Sequence, residues 1–275
     1  MIDFLEQLGL FAHLSAFLLA MPRIFSAALV APFLGTGVLE GTVWFTLAFA
    51  LYLPIHPAVL HSLTAETTIA FPLSLTFGLT YFAIFVKECC IGLFIGIIAG
   101  LPFWAVQGAG AFMDNQRGAS QAEESDFLTG KSSTPMGIFL FELLVYLFFS
   151  SGAFLLFMSL IYSSYEFWPV TLFHPSLFTN LNIPYFFNKE LADFMTDIIL
   201  YAAPITVACL LVDIALGLIN RFAQQLNAYV LAMPIKSGVA AVLLFFYLNL
   251  MIDKAPSIFH EIEENFLIFK TILGL

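Results

Sequence analysis

Long uncharged apolar runs constrain this chain more than any other feature. Residues 41–65, 67–86 and 89–113 contain no Asp, Glu, Lys or Arg. A helix that is apolar all round has no face to give to water. A bilayer crossing needs about 20 such residues, and each run is that long or longer. The same pattern recurs at 8–34, interrupted only by Arg23, and at 137–165, interrupted only by Glu142.

Composition supports this. The chain is 61% hydrophobic and only 10% charged, whereas soluble domains average about 45–50% and about 25%. So few charges leave no polar shell for a soluble enzyme. They also exclude a disordered chain and a nucleic-acid binder, which needs a basic face. The net charge of −10 argues against a polybasic contact with anionic lipid. The expected fold is all-α: a multi-helix integral membrane protein with about seven to eight hydrophobic helices. Residues 1–10 carry Asp3 and Glu6 and no basic residue, unlike a cleaved signal peptide, so the first helix is expected to be retained.

The runs predict a single membrane-embedded helical domain over 1–252. Lys87-Glu88 punctuates the third and fourth spans. Pro54 and Pro57 should end a helix before His61. Further helices are expected at about 190–221 and 222–252, the second broken at Pro234-Ile235-Lys236. Residues 166–189 mix Pro169, Pro175 and Pro184 with seven aromatics and read as an interfacial segment. The tail 253–275 reads as an amphipathic helix.

Orientation by loop charge gives no answer. With seven spans, Arg117, Lys131, Arg221 and Lys236 fall on one side, and Lys87, Lys189, Lys254 and Lys270 on the other. A plain hairpin topology should show a bias, so an unconventional topology is expected.

Several features remain as candidates for function. Gly92, Gly96 and Gly100 lie on one helix face and let another backbone approach closely, within the chain or between subunits. The segment 114–136 is the one long polar stretch, with four acids and two bases. It is either a solvated connector or a loop entering a water-filled cavity, where membranes tolerate irregular backbone. Gly118, Ala119 and Ser120 are small enough for a constriction. Arg23, Glu142, Asp213, Arg221 and Lys236 are ionisable groups within apolar spans, so each should pair or face water. Asp213 and Arg221 sit about 80° apart on one helix and need partners elsewhere. Cys89, Cys90 and Cys209 read as packing residues, and the five histidines are scattered, so no metal, cofactor or catalytic site is expected.

Two motifs together resemble one family. The first is DNQRGAS (Asp114, Asn115, Gln116, Arg117, Gly118, Ala119, Ser120), followed by LTG at 128–130 and SSTPMG at 132–137. The second is LLVDIALGLINRFAQQLNAYVLAMPIK at 210–236, with Asp213, Arg221, Gln225, Asn227 and Lys236. Both resemble the T component of the type III secretion export apparatus, the SctT family, whose flagellar relatives are the FliR proteins. Arg23 with Pro32 fits the same pattern. Two positions depart from it. Phe127 stands where relatives often have proline, which implies a less kinked loop. Gln224 stands where many flagellar relatives have proline, which points to the virulence-type branch.

The resemblance implies a non-enzymatic core subunit of the export gate in the bacterial inner membrane, at the base of the secretion machine. Its implied partners are two other small membrane subunits (R- and S-type), the switch autoprotease subunit, the large export-gate subunit, membrane lipid and secreted proteins in transit. It implies no cofactor and no nucleic acid. Asp114–Ser120 would plug a channel for unfolded substrates, and Arg23, Asp213, Arg221, Gln225, Asn227 and Lys236 would serve assembly. The alternative from the residues alone is a proton-coupled secondary transporter using Asp213.

Overall fold

The computed structural model describes residues 10–35, 41–65, 75–119, 124–125, 132–172, 182–222 and 228–272. Among these, eight helices account for nearly everything: α1 (Leu10–Val30), α2 (Gly41–Tyr52), α3 (His56–Ala65), α4 (Leu75–Arg117), α5 (Pro135–Ser150), α6 (Ala153–Phe167), α7 (Asn182–Phe222) and α8 (Ala228–Ile272). The all-α membrane fold is therefore observed. A two-residue antiparallel ladder, β1 (Glu124–Ser125) with β2 (Ser132–Ser133), is the only strand pairing among the described residues.

Four helices are long and apolar enough to cross a membrane, or up to six spans if each bent pair counts as one. Helix α4 has 43 residues, α7 has 41 and α8 has 45. At 1.5 Å per residue each is over about 60 Å long, twice the ~30 Å hydrocarbon thickness. Helices of that length are not simple crossings, and this accounts for the even charge count.

Several boundaries differ from expectation. Lys87-Glu88 lies inside α4 rather than between spans, because Glu88 pairs with Arg23 and Lys87, and Lys87 also donates to backbone carbonyls. Helix α8 runs unbroken through Pro234 and Pro256, so the tail from 253 continues it. In an apolar setting a proline frees one carbonyl, whereas a break would orphan several backbone groups. The predicted span 137–165 is broken at Ser151-Gly152, where Gly152 takes a φ of +79°. The interfacial segment overlaps the start of α7. The run 41–65 breaks near Pro54 into α2 and α3, bent by 56°.

The chain forms two compact units, each drawn from separated stretches. The first comprises Met1–Gly100, Phe154–Pro184 and Ile262–Leu275. Its centre is the crossing of α1 and α4. A Cβ at Gly92 would overlap the Arg23 carbonyl and the Ser26 hydroxyl, and one at Gly96 would stand 2.7 Å from the Ala27 carbonyl. The expected glycine face is thus an intramolecular contact at both positions; Gly100 is buried too. Tyr52, His56 and His13 join three helices: the Tyr52 hydroxyl lies 2.6 Å from His56 Nδ1, and His56 Nε2 lies 2.8 Å from His13 Nδ1.

The second unit comprises Leu101–Ala153 and Tyr185–Glu261. Phe103 is fully buried at its core, meeting Phe148 at 5.3 Å and Phe141 and Phe259 at 6.4 Å between ring centroids. It ties α4 to α5 and α8.

Candidate functional site

Charges inside apolar helices survive only when paired and hydrogen-bonded. Two centres meet that demand, one in each unit.

In the first unit, Arg23 of α1 is completely buried. Its five N–H donors all find acceptors. Nε donates to Glu88 Oε2 at 2.7 Å and Nη2 to Glu88 Oε1 at 3.0 Å. Nη1 donates to the Ser164 carbonyl at 2.7 Å and its hydroxyl at 3.0 Å, and Nη2 also reaches the Trp168 carbonyl at 2.9 Å. The guanidinium lies 4.1 Å from the centre of the Tyr165 ring. Lys87 Nζ shares Glu88 Oε1 at 3.0 Å and donates to the carbonyls of Val170 and Leu172. Two cations and one carboxylate leave one surplus positive charge. The carbonyls at the C-terminal end of α6 face it, the negative end of that helix's dipole.

In the second unit, the neck of the polar loop is built from three contacts. A Cβ at Gly110 would lie 2.6 Å from Gly137 Cα, so α4 and α5 touch backbone to backbone. One turn further along α4, the buried Asp114 accepts the Met136 backbone N–H through Oδ2 at 2.7 Å and Arg117 Nε through Oδ1 at 2.6 Å. Beyond that, β1 pairs with β2, Glu124 opposite Ser133. Thr134, the residue before α5, makes no side-chain cap, and Pro135 has no N–H. Asp114 therefore supplies the anion that the positive helix start favours.

Lys236 of α8 joins this neck from the other end. Its Nζ donates to the Gln116 carbonyl at 3.0 Å and pairs with Asp213 Oδ1 of α7 at 3.0 Å. A cation at the last turn of α4 complements that helix's negative end. Gly118, at φ +81°, packs against Met233: a Cβ there would stand 2.9 Å from its methyl carbon.

Sequence reasoning placed Asp114–Arg117 in the loop. They form the last turn of α4, because Asp114 and Lys236 satisfy that turn. Gly118 and Ala119 are half-buried beyond it, and Asn115 and Arg221 are exposed. Ser120, Gln225 and Asn227 lie outside the described residues. Of Asp213, Arg221 and Lys236, expected to find partners on neighbouring subunits, Asp213 and Lys236 pair with each other, and Arg23 too has its partner within this chain. Lys87, Glu88 and Ser164 were missed. The available signal was the Lys87-Glu88 pair itself: two charges among 45 uncharged residues need a partner, and Arg23 was a candidate cation.

The sequence matches the family described as Bacterial export proteins, family 1, over residues 14–262. The chain belongs to that family. It is 36% identical over 245 residues to Yop proteins translocation protein T of Yersinia pestis, covering 88% of this chain and 89% of that one. It is 27% identical to the surface presentation of antigens protein SpaR of Salmonella typhimurium, covering 84% and 82%. It is 30% identical to the flagellar biosynthetic protein FliR of Bacillus subtilis, covering 76% and 80%. The family member described here is thus a T-type membrane component of a type III secretion export apparatus. Its identity to the Yersinia protein exceeds that to FliR.

Proposed function

We propose that this export protein is a non-enzymatic core subunit of the type III export gate in the bacterial inner membrane. With R- and S-type subunits it forms the channel for unfolded substrates, and the loop that begins beyond Arg117 seals that channel at rest. The switch autoprotease and large gate subunits are its further partners. The observation that carries this reading is its 36% identity, across 88% of the chain, to a protein named for translocation.

Two structural features support it. Only 17% of the most apolar stretch of α7 and of α8 is buried, against 56% in α1 and α4. On α7 the exposed apolar residues run from Leu191 to Phe222, about 47 Å along the axis. A ~30 Å hydrocarbon layer covers only part of that length, so apolar surfaces of other subunits are needed for the rest. Secondly, the loop has a built neck, as a movable plug on a fixed base requires. A solvated connector would not bury a carboxylate to hold its ends.

The transporter reading loses ground at Asp213. A coupling acid must be free to exchange a proton, and this carboxylate faces the Lys236 ammonium at 3.0 Å.

Native mass spectrometry of the tagged chain, purified from its own membranes in mild detergent, tests the proposal. One copy with several copies of two other small hydrophobic subunits is expected. A lone monomer or homodimer, under conditions that preserve other membrane assemblies, would overturn it.

A further inference from the structure

One ionisable residue inside an apolar helix is left over by the two charged centres. Glu142 is the eighth of the 16 residues of α5 and the only charged one, about 10–12 Å from either end. Arg23, Lys87, Glu88, Asp213 and Lys236 all have charged partners within the chain. Glu142 is exposed and makes no hydrogen bond or ion pair among the described residues. Arg221 is exposed as well, but it lies in the last turn of α7, where the helix dipole favours a cation. A carboxylate at mid-helix has no such support.

Its surroundings are apolar. Phe139, Glu142, Tyr146 and Phe149 are exposed and recur at steps of three and four residues, so they form one stripe along α5. The opposite face is already taken, with Phe141 and Phe148 packed on Phe103. A wall facing water would carry further polar groups, and the only other one on this stripe is the Tyr146 hydroxyl. Bilayer hydrocarbon suits the three rings but not the carboxylate, because charges at that depth are costly unless they pair. Aromatic side chains are enriched at the cores of protein interfaces, and a desolvated carboxylate persists there when it meets a cation.

We propose that this stripe of α5 is a docking face for an apolar membrane helix of another subunit, and that this helix carries a Lys or Arg opposite Glu142. Charge complementarity selects the occupant. A wholly apolar or acidic helix would strip water from the carboxylate and leave it unpaired, which is how an interface rejects wrong partners. The inference rests on the proposed place of this chain among other gate subunits and deepens it. It names the face that one of them covers and the charge that it brings.

The test uses the assembled complex, purified from native membranes in mild detergent. Tyr146 is 69% exposed, so a photocrosslinking p-benzoylphenylalanine at that position reads what covers the stripe. Irradiation should join it to one small membrane subunit, within one helical turn of a Lys or Arg. Crosslinks to lipid alone, to a substrate in transit, or to a helix segment without a basic residue would overturn the inference.

Charge variants read the pair itself. Glu142→Lys should lower the yield of intact complex at least roughly tenfold, since breaking a desolvated charge pair is enough for that. Glu142→Gln, which keeps one acceptor oxygen, should fall between Lys and wild type. Replacing the partner's basic residue by Glu should restore assembly of Glu142→Lys. Wild-type yield from Glu142→Lys, or no restoration by the exchange, would overturn the inference. If Glu142→Lys does not accumulate in membranes, Glu142→Gln decides, and a wild-type yield from it would be equally fatal. The isolated Glu142→Gln chain should melt as wild type does; a clear loss would give Glu142 a role inside its own chain instead. Native mass spectrometry of the wild type separates this claim from the broader one. A lone wild-type chain defeats the gate assignment. A wild-type hetero-oligomer with no protein crosslink from position 146 defeats the docking face alone.

Discussion

Arg23 and Glu88, 65 positions apart, meet through two parallel hydrogen bonds of 2.7 and 3.0 Å with neither side chain exposed. The paired geometry is the one a guanidinium and a carboxylate prefer. Removing one member of such a pair leaves a buried, uncompensated charge, at a cost of about 3–5 kcal/mol. Arg23→Ala and Glu88→Gln are therefore both expected to lower the thermal stability of the detergent-purified chain sharply and to reduce its accumulation in membranes. Arg23→Lys is expected to fail as well, because an ammonium has three donors where five are used. Unchanged melting in Arg23→Lys would show that the donor count does not matter here.

The crossing of α1 and α4 gives a second prediction. Gly92→Ala places a methyl group on the Arg23 carbonyl, which is backbone and has nowhere to go. Forced overpacking of this kind costs about 1–3 kcal/mol. Gly238→Ala in α8 meets nothing within 4 Å and should be neutral or gain about 0.5–1 kcal/mol from lower backbone entropy. Melting temperatures of the two purified variants, measured side by side, should move in opposite directions or differ clearly. Equal behaviour would mean that α1 and α4 are not in backbone contact.

The extent to which this architecture was legible follows from what kind of signal each part leaves. Uncharged runs announce apolar helices directly, so the fold class and the break near Pro54 could be read. Helix ends within apolar sequence leave little local trace. Charge and proline are the usual markers, and both mislead here: Glu88 is paired with Arg23 from another helix and Lys87 is held by backbone carbonyls, and Pro234 sits where an unbroken helix is the cheaper arrangement. The candidate site was half legible. Asp213 and Lys236 could be singled out as charges needing partners, and Asp114 only as part of the polar loop. Which of them pair is set by tertiary contacts over 22 and 23 positions, beyond the reach of any helical spacing. The pairing of Arg23 with Glu88, 65 positions away, escaped the sequence for the same reason.

The loop supplies a third prediction. If it seals the channel at rest, replacing 118–131 with a flexible Gly/Ser linker while keeping Asp114 should raise ion leakage in resting cells, with assembly unchanged. Membrane potential and small-ion uptake report this directly. Gly118→Val should have an effect of the same sign. A β-branched residue strains at positive φ, and its side chain would press on Met233, which a Cβ already approaches to 2.9 Å. Wild-type ion tightness in both variants would remove the loop from the sealing role.

Asp213 and Lys236 separate the gate from a transporter most economically. Lys236 is mostly buried and Asp213 is 38% exposed, so solvent screens the pair and its coupling should be modest, about 0.2–1 kcal/mol. Lys236 also holds the Gln116 carbonyl, so its loss touches the loop neck as well as the pair. Lys236→Met should therefore impair resting tightness more than Asp213→Asn does. The double variant should be milder than the sum of the two, since no charge is left without its partner. Ion leakage and secretion of a reporter substrate, measured across the four combinations, check this. Strict additivity would show that the two side chains do not act as a pair. Complete loss of transport in Asp213→Asn, with leakage and assembly at wild-type levels, would instead make this carboxylate a proton-coupling acid.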